Sequence, residues 1–124
     1  LPDVVRPKAA AVGPQIQSTF AKAFERGVPI AFGTDAGVSP HGANGREFTF
    51  MVEAGMPVME ALRAATVNAA TLLRMEHELG QLKPGYVADV VAVFGDPFED
   101  ITLLESPNFV MKEGAVVLER ALAN

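Results

Sequence analysis

The sequence predicts an α/β protein whose last part turns to short antiparallel strands. A helical stretch ends at Gly27 and is followed at once by an apolar run, Val28-Pro29-Ile30-Ala31-Phe32-Gly33-Thr34. A short run without polar alternation suits a strand buried on both faces, as in a parallel sheet. An alanine-rich helical pattern then fills the stretch from Pro57 to Met75. After Glu78 the period changes to β-rich runs separated by turn residues, which is the pattern of antiparallel strands and hairpins.

Each element has its own signal. Ile16, Phe20, Ala23 and Phe24 recur at spacings of three and four, so a helix is expected over 14–26. Pro14 suits its first turn and Gly27 its C-terminal cap. Helix, cap and buried strand make one αβ step, and Pro29 is tolerable near a strand's start. Asp35 to Gly45 is polar and punctuated by Gly37, Pro40, Gly42 and Gly45, so it reads as a loop beyond the strand's C-terminal end. A short helix should begin near Arg46, with Phe48, Met51 and Val52 inward and Gly55 at its end. The next helix should run from Pro57 to Met75. Met59, Leu62, Ala65, Ala69, Leu72 and Leu73 mark its stripe, and Ala61, Ala64, Val67 and Ala70 widen it. An apolar surface that broad belongs to a helix buried on most sides. Gly80–Leu82 reads as a strand stub, Pro84-Gly85 as a turn, and Ala88–Phe94 as a strand broken by Gly95-Asp96-Pro97. Asn108–Lys112 and Ala115–Leu118 flank Glu113-Gly114 as a β-hairpin. Antiparallel strands are thus expected within 80–94 and 108–118.

Composition excludes several classes. The chain has 124 residues, 49% of them hydrophobic, and a net charge of −5. It has no basic stripe to neutralise phosphates, so no nucleic-acid partner is expected. It has no cysteine, which removes disulfides, thiolate metal sites and cysteine nucleophiles. No apolar run approaches the roughly 18–20 residues that span a bilayer, so no membrane partner is expected. Leu1–Arg6 has neither the initiator Met nor the charge pattern of a signal peptide. The chain is therefore expected to begin inside a longer gene product or after processing, which leaves its localisation open.

Asp35 is the strongest candidate for chemistry. It follows the apolar run directly, in Gly33-Thr34-Asp35-Ala36-Gly37. In (β/α)8 barrels the active site lies at the C-terminal ends of the strands. A carboxylate there can bind a divalent metal and accept a proton from water. A helix N-cap or an Asx-turn is the alternative role. His41 follows in the glycine-rich loop, as a substrate-contacting residue at the site's mouth or as a solvated histidine. His77 sits among acids at a helix end, where a cation is favoured. Glu25 and Glu47 read as solvated helix charges. The sequence lacks a His-x-His, a His-Glu-x-x-His, a phosphate-binding glycine loop and a Gly-x-Ser-x-Gly elbow.

Three collinear motifs resemble one family. Gly27–Gly37 resembles the eighth barrel strand of the amidohydrolase superfamily. Ala61-Leu62-Arg63-Ala64-Ala65-Thr66-Val67-Asn68-Ala69-Ala70 resembles the helix that follows its site. Gly80–Val91 resembles the strand pair by which the chain returns to a small β-sandwich beside the barrel. Pro40–Asn44 with Glu47, and Gly95–Ile101, are most similar to the Xaa-Pro dipeptidase branch, with the imidazolonepropionase branch close to it.

The resemblance implies the C-terminal portion of a (β/α)8 barrel followed by antiparallel strands of a β-sandwich, with residues 1–77 in the barrel and 78–124 in the sandwich. It implies a metal-dependent amidohydrolase that cleaves an amide or peptide C–N bond of a small substrate, such as a dipeptide or an N-acyl amino acid. Asp35 would contact the metal (zinc or another divalent ion) and act as general base, and His41 would contact substrate. The family's remaining ligands, on strands one, four, five and six, have no counterpart in these 124 residues. The chain alone is therefore expected to be inactive. Its alternative role is a non-catalytic assembly module, and its exposed edges should make it a homo-oligomer.

Overall fold

A computed structural model describes residues 6–37 and 41–121. Val38, Ser39 and Pro40 of the expected loop, and both termini, lie outside the described residues. Helix α1 runs Arg6–Glu25, α2 Arg46–Glu53, α3 Val58–Ala65 and α4 Val67–Leu72. Strands β1 (Val90–Ala92), β2 (Phe109–Lys112) and β3 (Ala115–Glu119) follow, with a 3-10 turn at Ile101–Glu105 between β1 and β2.

Helix α1 starts earlier than its pattern suggested, and Pro14 lies inside it rather than at its first turn. Only its last two turns dock: Phe20, Ala23 and Phe24 are half-buried, whereas Ala10–Thr19 are exposed. It ends as expected at Gly27, whose φ is +72°. The Gly27 amide donates to the Phe24 carbonyl at 2.9 Å and the Val28 amide to that of Ala23 at 3.0 Å. This is the paired bonding of a Schellman cap, which needs the left-handed backbone that glycine adopts at least cost. Gly55 closes α2 in the same way, through Gly55 to Val52 at 2.9 Å and Met56 to Met51 at 3.1 Å.

The apolar run after Gly27 is not a laddered strand. Residues 28–36 form an extended, irregular segment with Ile30, Ala31 and Phe32 half-buried. A strand is defined by its neighbours' hydrogen bonds, and no parallel neighbour pairs with this segment among the described residues. Helix residues hold it instead. The Phe32 amide donates to the Ala64 carbonyl at 2.9 Å, and the Asn68 side-chain amide to the Ile30 carbonyl at 3.1 Å.

That docking also explains a second departure. The expected helix over 57–75 is two helices, broken at Thr66 with φ −123° and ψ −94°. The break frees the Ala64 carbonyl from its helical partner four residues on, and Phe32 takes it. Alanine periodicity carries no trace of such a break, because it arises from a contact distant in sequence. The expected alanine-rich face is real: Ala61 and Ala64 are fully buried. With Met51 and Met56 they form a small core, on which Phe20, Phe24, Ile30, Phe32, Phe48 and Val52 pack. The Phe32 and Phe48 rings lie 4.6 Å apart.

The β region is an antiparallel sheet in the order β1-β2-β3. Val90 faces Met111 and Ala92 faces Phe109. The β2–β3 hairpin turns at Glu113-Gly114, where both residues have positive φ (+52° and +80°). That is the backbone of a type I′ turn, whose twist matches a hairpin. The strands are shorter than expected. Gly80–Leu82 is a bend, not a strand stub, and only Val90–Ala92 of the 88–94 run is laddered. The Phe94 amide goes to the Asn108 side chain at 2.8 Å. The Pro84-Gly85 turn is present, closed by the Tyr86 amide on the Lys83 carbonyl at 3.1 Å.

Candidate functional site

The extended segment delivers Asp35 to the surface in an unusual backbone state. Asp35 has φ +44° and is exposed. Its carbonyl accepts the Gly37 amide at 2.7 Å, a tight turn that bends the chain away from the segment. Asparagine and aspartate tolerate the left-handed region better than other non-glycine residues. Such residues still cost of order 1–3 kcal/mol and cluster at functional sites. Asp35 does not cap the next helix. The N-cap of α2 is Gly45, and no side chain caps it.

A cavity of about 180 Å³ lies next to this turn. Thr34 and Ala36, on either side of Asp35, form one wall; Ala43, Asn44, Arg46, Glu47 and Phe50 form the other. The Asn44 side-chain amide donates to the Thr34 hydroxyl at 2.9 Å and ties the loop's far end back to the segment. The Arg46 guanidinium stands over the Phe50 ring, 5.4 Å from its centroid. Glu47 is half-buried, and burial raises its carboxyl above the usual range. This corrects the reading of Glu47 as a solvated helix charge. The signal was its place in the first turn of α2, three residues after Asn44, which aims it back at the loop. Glu25 is exposed, as expected.

His41 is exposed in a turn at residues 41–42 and does not line the cavity. His77 is also exposed, 3.9 Å from the Glu76 carboxylate. A hydrolytic zinc needs about three protein ligands and an open position. Among the described residues no three His, Cys, Asp or Glu side chains converge. These residues therefore do not by themselves fit the metal that the family resemblance implies, and Asp35 offers one ligand at most. Sequence reasoning missed Asn44, Arg46 and Glu47, because their placement depends on how α2 packs beneath the loop.

Comparison with known proteins extends the picture. Residues 7–118 match the Amidohydrolase family. The chain is 55% identical to a Xaa-Pro dipeptidase crystallised with methionine in its active site, with a TM-score of 0.87 over 95% of this chain and 29% of that one. It is 42% identical over 93 residues to ochratoxinase of Aspergillus niger, covering 73% of this chain and 19% of that enzyme. It is 36% identical over 105 residues to imidazolonepropionase of Brevibacillus brevis, covering 78% of this chain and 24% of that enzyme. The chain thus spans less than a third of each. Its fold is that of the C-terminal portion of their (β/α)8 barrel followed by antiparallel strands. On the family match over 7–118 and the shared fold, this chain belongs to the amidohydrolase family.

Proposed function

We propose that this chain supplies Asp35 to a metal-dependent amidohydrolase that cleaves the amide or peptide C–N bond of a small substrate, a dipeptide or an N-acyl amino acid. The observation that carries this reading is Asp35 itself, held at φ +44° at the end of the extended segment and beside the cavity that Asn44, Arg46 and Glu47 help to line. The 55% identity to a Xaa-Pro dipeptidase supports the dipeptide class. In this reading the Asp35 carboxylate accepts a proton as water attacks the substrate carbonyl. The C–N bond breaks, and the proton passes to the leaving nitrogen. In the complete enzyme Asp35 would be one ligand of a divalent ion, zinc or another, which would supply Lewis-acid chemistry. His41 contacts substrate. Residues 1–77 belong to the barrel and 78–124 to a β-sandwich. The Asp35→Asn enzyme, assayed on a panel of Xaa-Pro dipeptides and N-acyl amino acids, should turn over about 10²–10⁴-fold more slowly. Retention of wild-type turnover would refute the proposed base.

A second reading has support from the surface. Ile16, Leu72, Leu73 and Leu82 are all more than 60% exposed, while among the described residues five hydrophobic ones are buried. Exposed apolar area of that kind favours association. By itself the chain would then be a non-catalytic assembly module that forms homo-oligomers. Sedimentation velocity on the purified chain distinguishes the two. A monomer that holds stoichiometric zinc and hydrolyses the panel would refute this second reading.

A further inference from the structure

The extended segment that ends in Asp35 is held along one edge by a helix break that imitates a neighbouring strand. In extended backbone the carbonyl of one residue and the amide of the residue two further on point to the same side. In a parallel sheet both would bond to one strand. Here Ile30 offers the carbonyl and Phe32 the amide. The Asn68 side-chain amide donates to the first at 3.1 Å, and the Ala64 carbonyl accepts from the second at 2.9 Å. The two partners can flank the segment in this way because the chain leaves helical geometry at Thr66. The break is itself secured. The Thr66 hydroxyl donates to the Leu62 carbonyl at 2.8 Å, and Gly80 packs so closely on Thr66 that an added Cβ would stand 2.8 Å from its carbonyl oxygen.

From this geometry we infer that Asn68 is a positioning residue for Asp35, acting through the Ile30–Phe32 backbone rather than touching substrate. It rests on the proposed role of Asp35 and deepens it. Asn68 is half-buried, and its amide reaches across from α4 to the segment five residues before Asp35. Losing that donor leaves the Ile30 carbonyl half-buried without its partner and lets the segment slide along the helix. A displacement of about 1 Å at a catalytic group costs up to about 100-fold in rate.

The test compares Asn68→Ala and Asn68→Asp with Asp35→Asn in the complete enzyme. Aspartate matches asparagine in shape but, ionised, cannot donate. Both Asn68 variants should lower kcat about 10–100-fold with KM held within about threefold. Backbone hydrogen exchange at Phe32 should accelerate in both, with far-ultraviolet dichroism unchanged. A wild-type kcat in Asn68→Asp would overturn the proposal, since shape and not donation would then matter. So would a loss confined to KM, or unchanged exchange at Phe32. If neither variant folds, Asn68→Ser, whose hydroxyl lies one bond closer to its own backbone than the Asn68 amide and so falls short of the Ile30 carbonyl, is read by the same measures. Failure of all three to fold would assign Asn68 to stability alone and overturn the positioning role. Full activity in Asp35→Asn refutes the proposed base instead. The clamp is then judged on Phe32 exchange, where acceleration supports it and no change overturns it.

Discussion

Replacing Gly45 by alanine should destabilise the protein even though the local backbone suits alanine. Gly45 has φ −59° and ψ −23°, ordinary right-handed helical values. The obstacle is space. An ideal Cβ would stand 2.5 Å from the Leu104 carbonyl oxygen and 2.8 Å from the Glu105 Cα. Carbon atoms in good contact lie about 3.5–4.0 Å apart, so one side must retreat by about 1 Å. The neighbour is the backbone of the 3-10 turn, which cannot swing away as a side chain would. That turn is anchored at its start by the Asp100 carboxylate on the Thr102 amide at 2.9 Å. At its end the Thr49 hydroxyl donates to the Glu105 carboxylate at 2.9 Å. Overpacking of this kind costs about 1–3 kcal/mol. Gly33→Ala is the control, because Gly33 lacks a positive φ and an added Cβ there meets nothing within 4 Å outside its chain neighbours. It should leave the midpoint at or slightly above wild type, by up to about 0.4–1 kcal/mol. In equilibrium urea unfolding followed by circular dichroism, the Gly45→Ala midpoint should fall by about 1 M, given slopes of about 1–3 kcal/mol/M. A midpoint at or above wild type would show that the contact between α2 and the 3-10 turn is loose, and would refute the reasoning.

Arg74 closes α4 with φ +59°, through Schellman bonds from Arg74 to Thr71 at 3.0 Å and from Met75 to Ala70 at 2.9 Å. Arg74→Gly should therefore raise stability by about 1 kcal/mol, read as a higher urea midpoint. Asp89 bonds the Lys112 ammonium at 2.8 Å and the Glu113 amide at 2.8 Å. The side-chain bond from Lys112, and then that amide, lower its carboxyl, while the Asp89 bond raises the Lys112 ammonium. The lowered acid stabilises above its unfolded value, about 3.9, and loses that as pH falls through the folded one. The raised base stabilises below about 10.4 and loses that at higher pH. Asp89→Ala should thus unfold at lower urea than wild type between about pH 4 and 10, with the curves converging in acid. A pH-independent difference would refute the assignment. For the proposed substrate contact, His41→Ala in the complete enzyme should lower kcat/KM about 10-fold while the metal content stays unchanged by elemental analysis. Metal loss would make His41 a ligand.

The sequence by itself determined the features that depend on local chemistry. Gly27 and Gly55 end their helices where the pattern placed them, because a left-handed cap suits glycine. Pro84-Gly85 and Glu113-Gly114 turn where expected, for the same conformational reason. Asp35 stands at the end of an apolar run, and the run is extended. The inward set Phe48, Met51 and Val52 on α2 was legible from helical spacing. Tertiary structure alone decided the rest. Whether Val28–Thr34 is a laddered strand depends on partners far away in sequence, and here helix groups take that place. The break at Thr66 goes with the same contact, since it parts the Ala64 carbonyl from its helical partner and Phe32 takes that carbonyl. Glu47 looked like any solvated helix acid until α2 packed beneath the loop and buried half of it. Hydrophobic periodicity reports which face of an element turns inward. It does not report which backbone or polar group waits there, because that depends on distances across the fold rather than along the chain.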